Sequence, residues 1–223
     1  MTTTDTTPDT ANTALTRAVL ILGGTVLGAV GWVVFLFQHQ DWERDERIGY
    51  DAMAGVRDAW FTAHYWWGPL MGLGIAVTGL AVAQLLRRKG SIWGTVAGAL
   101  LVVGGFGFAV GLASEGISYF VVTDRQTLDP TAGAPLLAHL MESQTYFPIF
   151  GIGLAGFSVG CLIAAVGLVV TRAVPIWVPA LLVIGVVGTA VIPHAIAWWG
   201  TLPYPIAAIT IAWYGVRGAR NGT

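Results

Sequence analysis

Apolar and polar positions follow one another along this chain in long blocks rather than residue by residue. Six apolar stretches, residues 18–37, 66–86, 92–113, 147–170, 176–198 and the shorter 202–216, are separated by polar segments. A bilayer core about 30 Å thick takes roughly 20 apolar residues as a helix rising 1.5 Å per residue, and the first five stretches reach that length. The pattern predicts an all-α polytopic membrane protein with six transmembrane helices. The sixth opens with Leu202-Pro203-Tyr204-Pro205 and is expected to cross with little tilt or to be partly re-entrant. The first stretch runs into Gln38-His39-Gln40-Asp41 with no small-x-small cleavage site, so it reads as a retained helix rather than a secretory signal. Domain boundaries follow: a disordered, Thr-rich tail over 1–16, one transmembrane domain over 17–217, and a short tail over 218–223.

Composition agrees. The 223 residues are 55% hydrophobic and 10% charged, with a mean hydropathy of +0.71, whereas soluble domains carry about 25% charged residues. The small net charge conceals an asymmetry. Arg17, Arg87-Arg88-Lys89, Arg172, Arg217 and Arg220 flank alternate ends of the stretches, while ten of the twelve carboxylates fall in the intervening segments. The positive-inside bias then places both termini in the cytoplasm and the segments 38–65 and 116–146 outside, in the plasma membrane. Trp93, Trp177 and Trp213 would mark the inner interface; Trp66, Trp67, Trp198 and Trp199 the outer one. No basic patch suits nucleic acid. The lone Cys161 can form no internal disulfide and reads as a packing residue.

Glycine spacing predicts how the helices meet. Gly24/Gly28, Gly68/Gly72, Gly94/Gly98, Gly107/Gly111 and Gly156/Gly160 form GxxxG pairs on four stretches. Such pairs let backbones approach closely in lipid, where apolar burial gives helices little reason to associate. An internal echo is also visible, with Gly72-Leu73-Gly74, Ile92-Trp93 and Ala99–Gly104 matched by Gly156-Phe157-Ser158, Ile176-Trp177 and Ala180–Gly185. It suggests a duplicated helical hairpin of unchanged direction.

The two outer segments are the longest connections and hold most polar residues, a length usual for lids and binding surfaces. Amphipathic pieces over 47–60 and 134–144 are expected to lie on the membrane or cap the bundle. Glu115 and His194 stand out by depth, since an ionisable group near hydrocarbon is costly and marks a functional site. Glu115 as acid or base, with His194 or Asp58 as its partner, is the candidate catalytic set. Trp66, Trp67, Tyr119, Tyr146 and Trp198 would line an aromatic cavity suited to a flat apolar or cationic ligand, or to an isoprenoid whose carbocations aromatic faces stabilise. All four histidines (His39, His64, His139 and His194) fall on the outer side, which leaves a metal or haem as a further alternative. They show no local ligand pair such as HxxxH, and no cofactor can be assigned.

The glycine-rich 156–170 helix, Arg172, Pro175 and the apolar run 180–188 resemble an uncharacterised bacterial family of six-helix integral membrane proteins. The likeness covers about a third of the chain and transfers no catalytic residue. In size and helix number the chain is also similar to small membrane-bound terpene cyclases, which use embedded carboxylates, although none of their motifs is matched. The expected partners are the lipid bilayer and a small apolar molecule or a membrane partner protein bound at the outer face. An enzyme acting on a lipid-soluble substrate is the alternative.

Overall fold

Hydrocarbon offers no partner for backbone N–H and C=O groups, so an apolar chain satisfies them within helices. Accordingly, all regular structure among the described residues of the computed structural model, 8–38, 49–143, 147–191 and 199–221, is helical. The elements are α1 (Pro8–Gln38), α2 (Tyr50–Phe61), a π-helical segment (Thr62–Trp67), α3 (Gly68–Leu86), α4 (Ser91–Val122), α5 (Pro130–Ser143), α6 (Phe147–Thr171), α7 (Trp177–Val191) and α8 (Pro203–Arg220). Among the described residues, four stretches are long and apolar enough to cross a membrane: Asn12–Gln38, Tyr50–Leu86, Ser91–Val122 and Pro148–Thr171. α7, with 15 residues, is shorter, and α8 carries Arg217 and Arg220 in its last turn.

Six helices close in a ring in the order α1, α3, α4, α6, α7, α8 and back to α1, with α3 also touching α8 and α6. The glycines set how close neighbours come. A Cβ on Gly28 of α1 would overlap the Cα of Gly74 on α3, and one on Gly72 would overlap the Gly105 carbonyl on α4. On the far side of α4, a Cβ on Gly104 would reach Phe157 N at 2.5 Å and one on Gly107 would reach Gly153 Cα at 2.6 Å. All ten glycines of the expected GxxxG pairs face a neighbouring helix at such distances or against its side chains. The hairpin echo does not extend to packing. Gly72 meets Gly105 across its own hairpin, whereas Gly156 meets Gly104 of the other one. Large apolar side chains cover the outside of the ring, with Leu20, Phe106, Val170 and Ile176 each about two-thirds exposed or more, a surface that suits lipid rather than water.

Two sequence expectations shift. Residues 8–16, expected in a disordered tail, belong to α1, which opens with Pro8 and Asp9, residues suited to a helix start. The expected outer loops are largely helical. Residues 50–86 form one continuous helical rod, α4 runs on to Val122, and α5 follows. Met53, Trp60, Tyr119, Val122 and Leu137 bury a small second core between α2, the end of α4 and α5, so the amphipathic pieces cap the bundle. Asp129 starts α5 by accepting from the Thr131 N–H at 2.8 Å, with Pro130 beside it.

The turn from α6 to α7 is unusual. The Arg172 N–H donates to Val169 O and the Ala173 N–H to Leu168 O, the bond pattern of a Schellman cap. Arg172 occupies its left-handed position with φ 54°, which costs an L side chain about 1–2 kcal/mol that glycine would avoid.

Candidate functional site

The end of the bundle capped by α2 and α5, the outer end in the orientation expected from the sequence, holds a histidine–carboxylate pair. His64 lies in the π-helical segment and is 1% exposed. Such segments are rare and recur at functional sites. Its Nδ1 lies 2.9 Å from the Trp60 carbonyl; a carbonyl only accepts, so Nδ1 carries a proton and donates. That fixes the tautomer and leaves Nε2 facing Glu115 of α4, 3.9 Å from Oε2. The imidazole stacks on Trp60 with ring centroids 4.1 Å apart and meets the edge of Phe35 from α1 at 5.3 Å. Tyr119 stacks on the other side of the cluster, 6.0 Å from Trp60. Gly116 permits the fit, because a Cβ there would stand 2.8 Å from the His64 Cβ.

The two members differ in access. His64 is enclosed, while the Glu115 side chain remains about one-fifth exposed. With Nδ1 committed, the facing atoms can hold one proton between them, on Nε2 as an ion pair or on the carboxyl as a neutral pair. The arrangement is a proton-bearing polar handle set among aromatic rings, reached from the carboxylate side. The indole N–H of Trp67, on the same π-helical segment, is buried with no hydrogen-bond partner among the described residues.

Only part of the expected site gathers here. Glu115 and Tyr119 do. Asp58 does not; its side chain is exposed on α2 and accepts from Arg57 Nε at 3.2 Å. Trp66 faces outward, 61% exposed, and Trp67 packs on the main core. His139 is exposed on α5. His39, Tyr146, His194 and Trp198 lie outside the described residues, and so does the expected pairing of Glu115 with His194. Among the described residues no three His, Cys, Asp or Glu side chains converge as metal ligands would. The partner of Glu115 is His64, which the sequence offers only as one of four candidate metal or haem ligands. It was assigned to a loop, yet Trp60, His64 and Gly68 recur at helical spacing on one buried face, a signal that extends the second apolar stretch backwards.

Above the pair, ion pairs tie the cap to α4. Arg57 reaches Asp124 at 2.9 Å and lies over the Phe120 ring at 4.4 Å; Arg125 reaches Asp51 at 2.5 Å. The Thr127 hydroxyl, then the Gln126 amide and Arg57, hold the Asp124 carboxyl below the usual carboxylate range, and the Thr131 hydroxyl and amide do the same for Asp129. An open cleft of about 530 Å³ runs between Asp51, Arg57, Asp58, Asp124 and Arg125. A smaller cavity of about 180 Å³ lies between α2 and α5, beside the buried Tyr50 hydroxyl, which has no partner among the described residues.

The chain matches no family model, no curated protein and no solved structure.

Proposed function

We propose that the chain is a six-span plasma-membrane protein with cytoplasmic termini that binds a small, flat, largely apolar molecule at its outer end, using His64 and Glu115 as the polar handle. The His64–Glu115 pair carries this reading. Two ionisable groups at the rim of an apolar bundle are costly to keep, and groups kept there serve a ligand or a proton. Aromatic walls with one or two convergent polar groups favour a flat ligand bearing a single hydrogen-bonding function. The basic residues grouped at Arg87-Arg88-Lys89, Arg172, Arg217 and Arg220 support the orientation.

Native mass spectrometry of the gently solubilised protein tests the ligand. A small-molecule mass retained by the wild type and lost in Glu115→Gln, while the variant stays folded and melts cooperatively, is the expected result. Equal retention by both proteins, or a bare wild-type mass in several mild detergents, would overturn it. The topology is tested separately. With the buried Cys161 replaced by serine, an impermeant thiol reagent added to intact cells should label Asp51→Cys and spare Lys89→Cys.

A second reading has its own support. The Trp60 carbonyl orients His64 so that Nε2 faces an acid, an arrangement suited to moving a proton to or from an isoprenoid-like substrate. In that case Glu115→Gln would abolish turnover while the substrate still binds.

A further inference from the structure

We propose that the end of the bundle opposite the His64 site binds an anionic phospholipid, with its headgroup phosphate held by Arg87, Lys89 and Arg172 and an acyl chain lying between α6 and α7. The proposal stands apart from the ligand reading at the other end and uses no residue of the His64–Glu115 site.

A cavity of about 430 Å³ opens at this end between the α3–α4 turn, the α6–α7 turn and the last turns of α8. Arg87, Arg88, Lys89 and Arg172 line it together with Thr171 and Tyr214, and no lining residue is Asp or Glu. The chain has no acidic residue between Asp58 and Glu115 and none after Glu142, so both turns contribute cations alone. A positive-inside bias accounts for cations in each turn. It does not account for two turns converging on one cavity, nor for a cation kept at the left-handed position of Arg172, where glycine is the easier residue.

The α6–α7 turn borders a second hollow. A groove of about 410 Å³ runs between the two helices, lined only by apolar side chains, among them Val166, Val169 and Val170 of α6 and Val183 of α7. Val170 belongs to the groove, while Thr171 and Arg172, the next residues, belong to the basic cavity. A ligand that fits both changes from anionic to hydrocarbon at that boundary, as a phospholipid does. A free phosphate would use the cavity alone. Basic pockets between helix ends at the anionic leaflet are a known mode of headgroup recognition.

The test uses the full chain in mild detergent, titrated with dioleoyl phosphatidylglycerol or dioleoyl phosphatidylcholine and read by native mass spectrometry. The glycerol lipid should bind at least about fivefold more tightly than the choline lipid, and Arg172→Gly should weaken it by about fivefold, the usual effect of one interfacial cation. Glycine suits the turn, so the variant should melt no lower than the wild type; loss of binding then reports the charge and not the fold. Val169→Trp, which fills the groove from an exposed position, should also weaken the glycerol lipid. Equal binding of the two lipids, or full binding by Arg172→Gly, would overturn the proposal. Inorganic phosphate that displaces the lipid, with Val169→Trp having no effect, would make this a free-anion site and overturn the lipid assignment.

Discussion

The middle and the outer end of the bundle are held together by opposite means. In the middle, α1, α3, α4 and α6 touch through backbone, at Gly28 with Gly74, Gly72 with Gly105, Gly104 with Gly156 and Gly107 with Gly153. Dispersion between closely approaching backbones does the work there, and no polar side chain is needed. At the outer end the contacts run through the side chains of Trp60, His64, Phe35 and Tyr119, with charge pairs beside them. The glycine contacts of the middle therefore leave no room for an added atom, whereas the outer end tolerates changes of shape better than loss of a partner.

The sharpest way to break this contrast is to add bulk in the middle. Gly105→Leu would drive its Cβ into the Gly72 carbonyl and to within 2.7 Å of Ala76 N. Backbone cannot swing aside as a side-chain tip can, so the cost should reach at least about 3 kcal/mol, the upper end for overpacking. Thermal unfolding in detergent should show a collapse of stability or no folded protein. A variant that melts with the wild type would mean that α3 and α4 separate freely and that the glycine contacts do not hold the middle.

The outer end should respond less, and as a unit. Glu115→Gln and His64→Leu are each expected to cost about 1–2 kcal/mol, and the double variant less than their sum, because one partnership is lost once. Strict additivity in that cycle would show that the two groups do not interact, and would remove the polar handle from the proposed ligand site.

A smaller effect is expected in the cap. The depressed Asp124 carboxyl contributes stability that is present above its unfolded value near 3.8 and is lost as pH falls through the lower folded value. Hydrogen exchange in α2 and α5 should therefore quicken below about pH 4, before the middle of the bundle responds. Asp124→Asn should flatten that dependence. Exchange that stays pH-independent in the wild type would show that the Arg57–Asp124 pair does not secure the cap.

How far the sequence anticipated these layers follows from the same contrast. The middle was readable because its rule is local. Small residues four apart on an apolar run announce a contact face without naming the partner, and every glycine so marked does face a helix. Which helix it faces was not readable, since Gly156 could as well have met its own hairpin as Gly104. The cap was read only in outline. Its amphipathic pieces were visible, but the continuous rod from Tyr50 to Leu86 was hidden by Arg57, Asp58 and His64, polar residues that break an apolar run without breaking a helix. Glu115 stood out through its depth on a recognisable stretch. His64 did not, because its burial depends on a π-helical segment and on the absence of a side chain at Gly116, both consequences of tertiary packing.

The gentlest test compares two glycines on one helix. Gly23 and Gly28 both lie in α1, but a Cβ on Gly23 meets nothing within 4 Å, while one on Gly28 strikes Gly74. Alanine at Gly23 removes backbone freedom from the unfolded chain and adds no clash, so it should be neutral or stabilise by up to about 1 kcal/mol. The same change at Gly28 should destabilise, since even one methyl finds only backbone opposite it. The sign change over five residues would tie the effect to the approach of α3 and not to glycine in a helix as such. If both variants shifted the melting temperature in the same direction, propensity would outweigh packing in α1, and the close contact with α3 would not set the geometry of the middle layer.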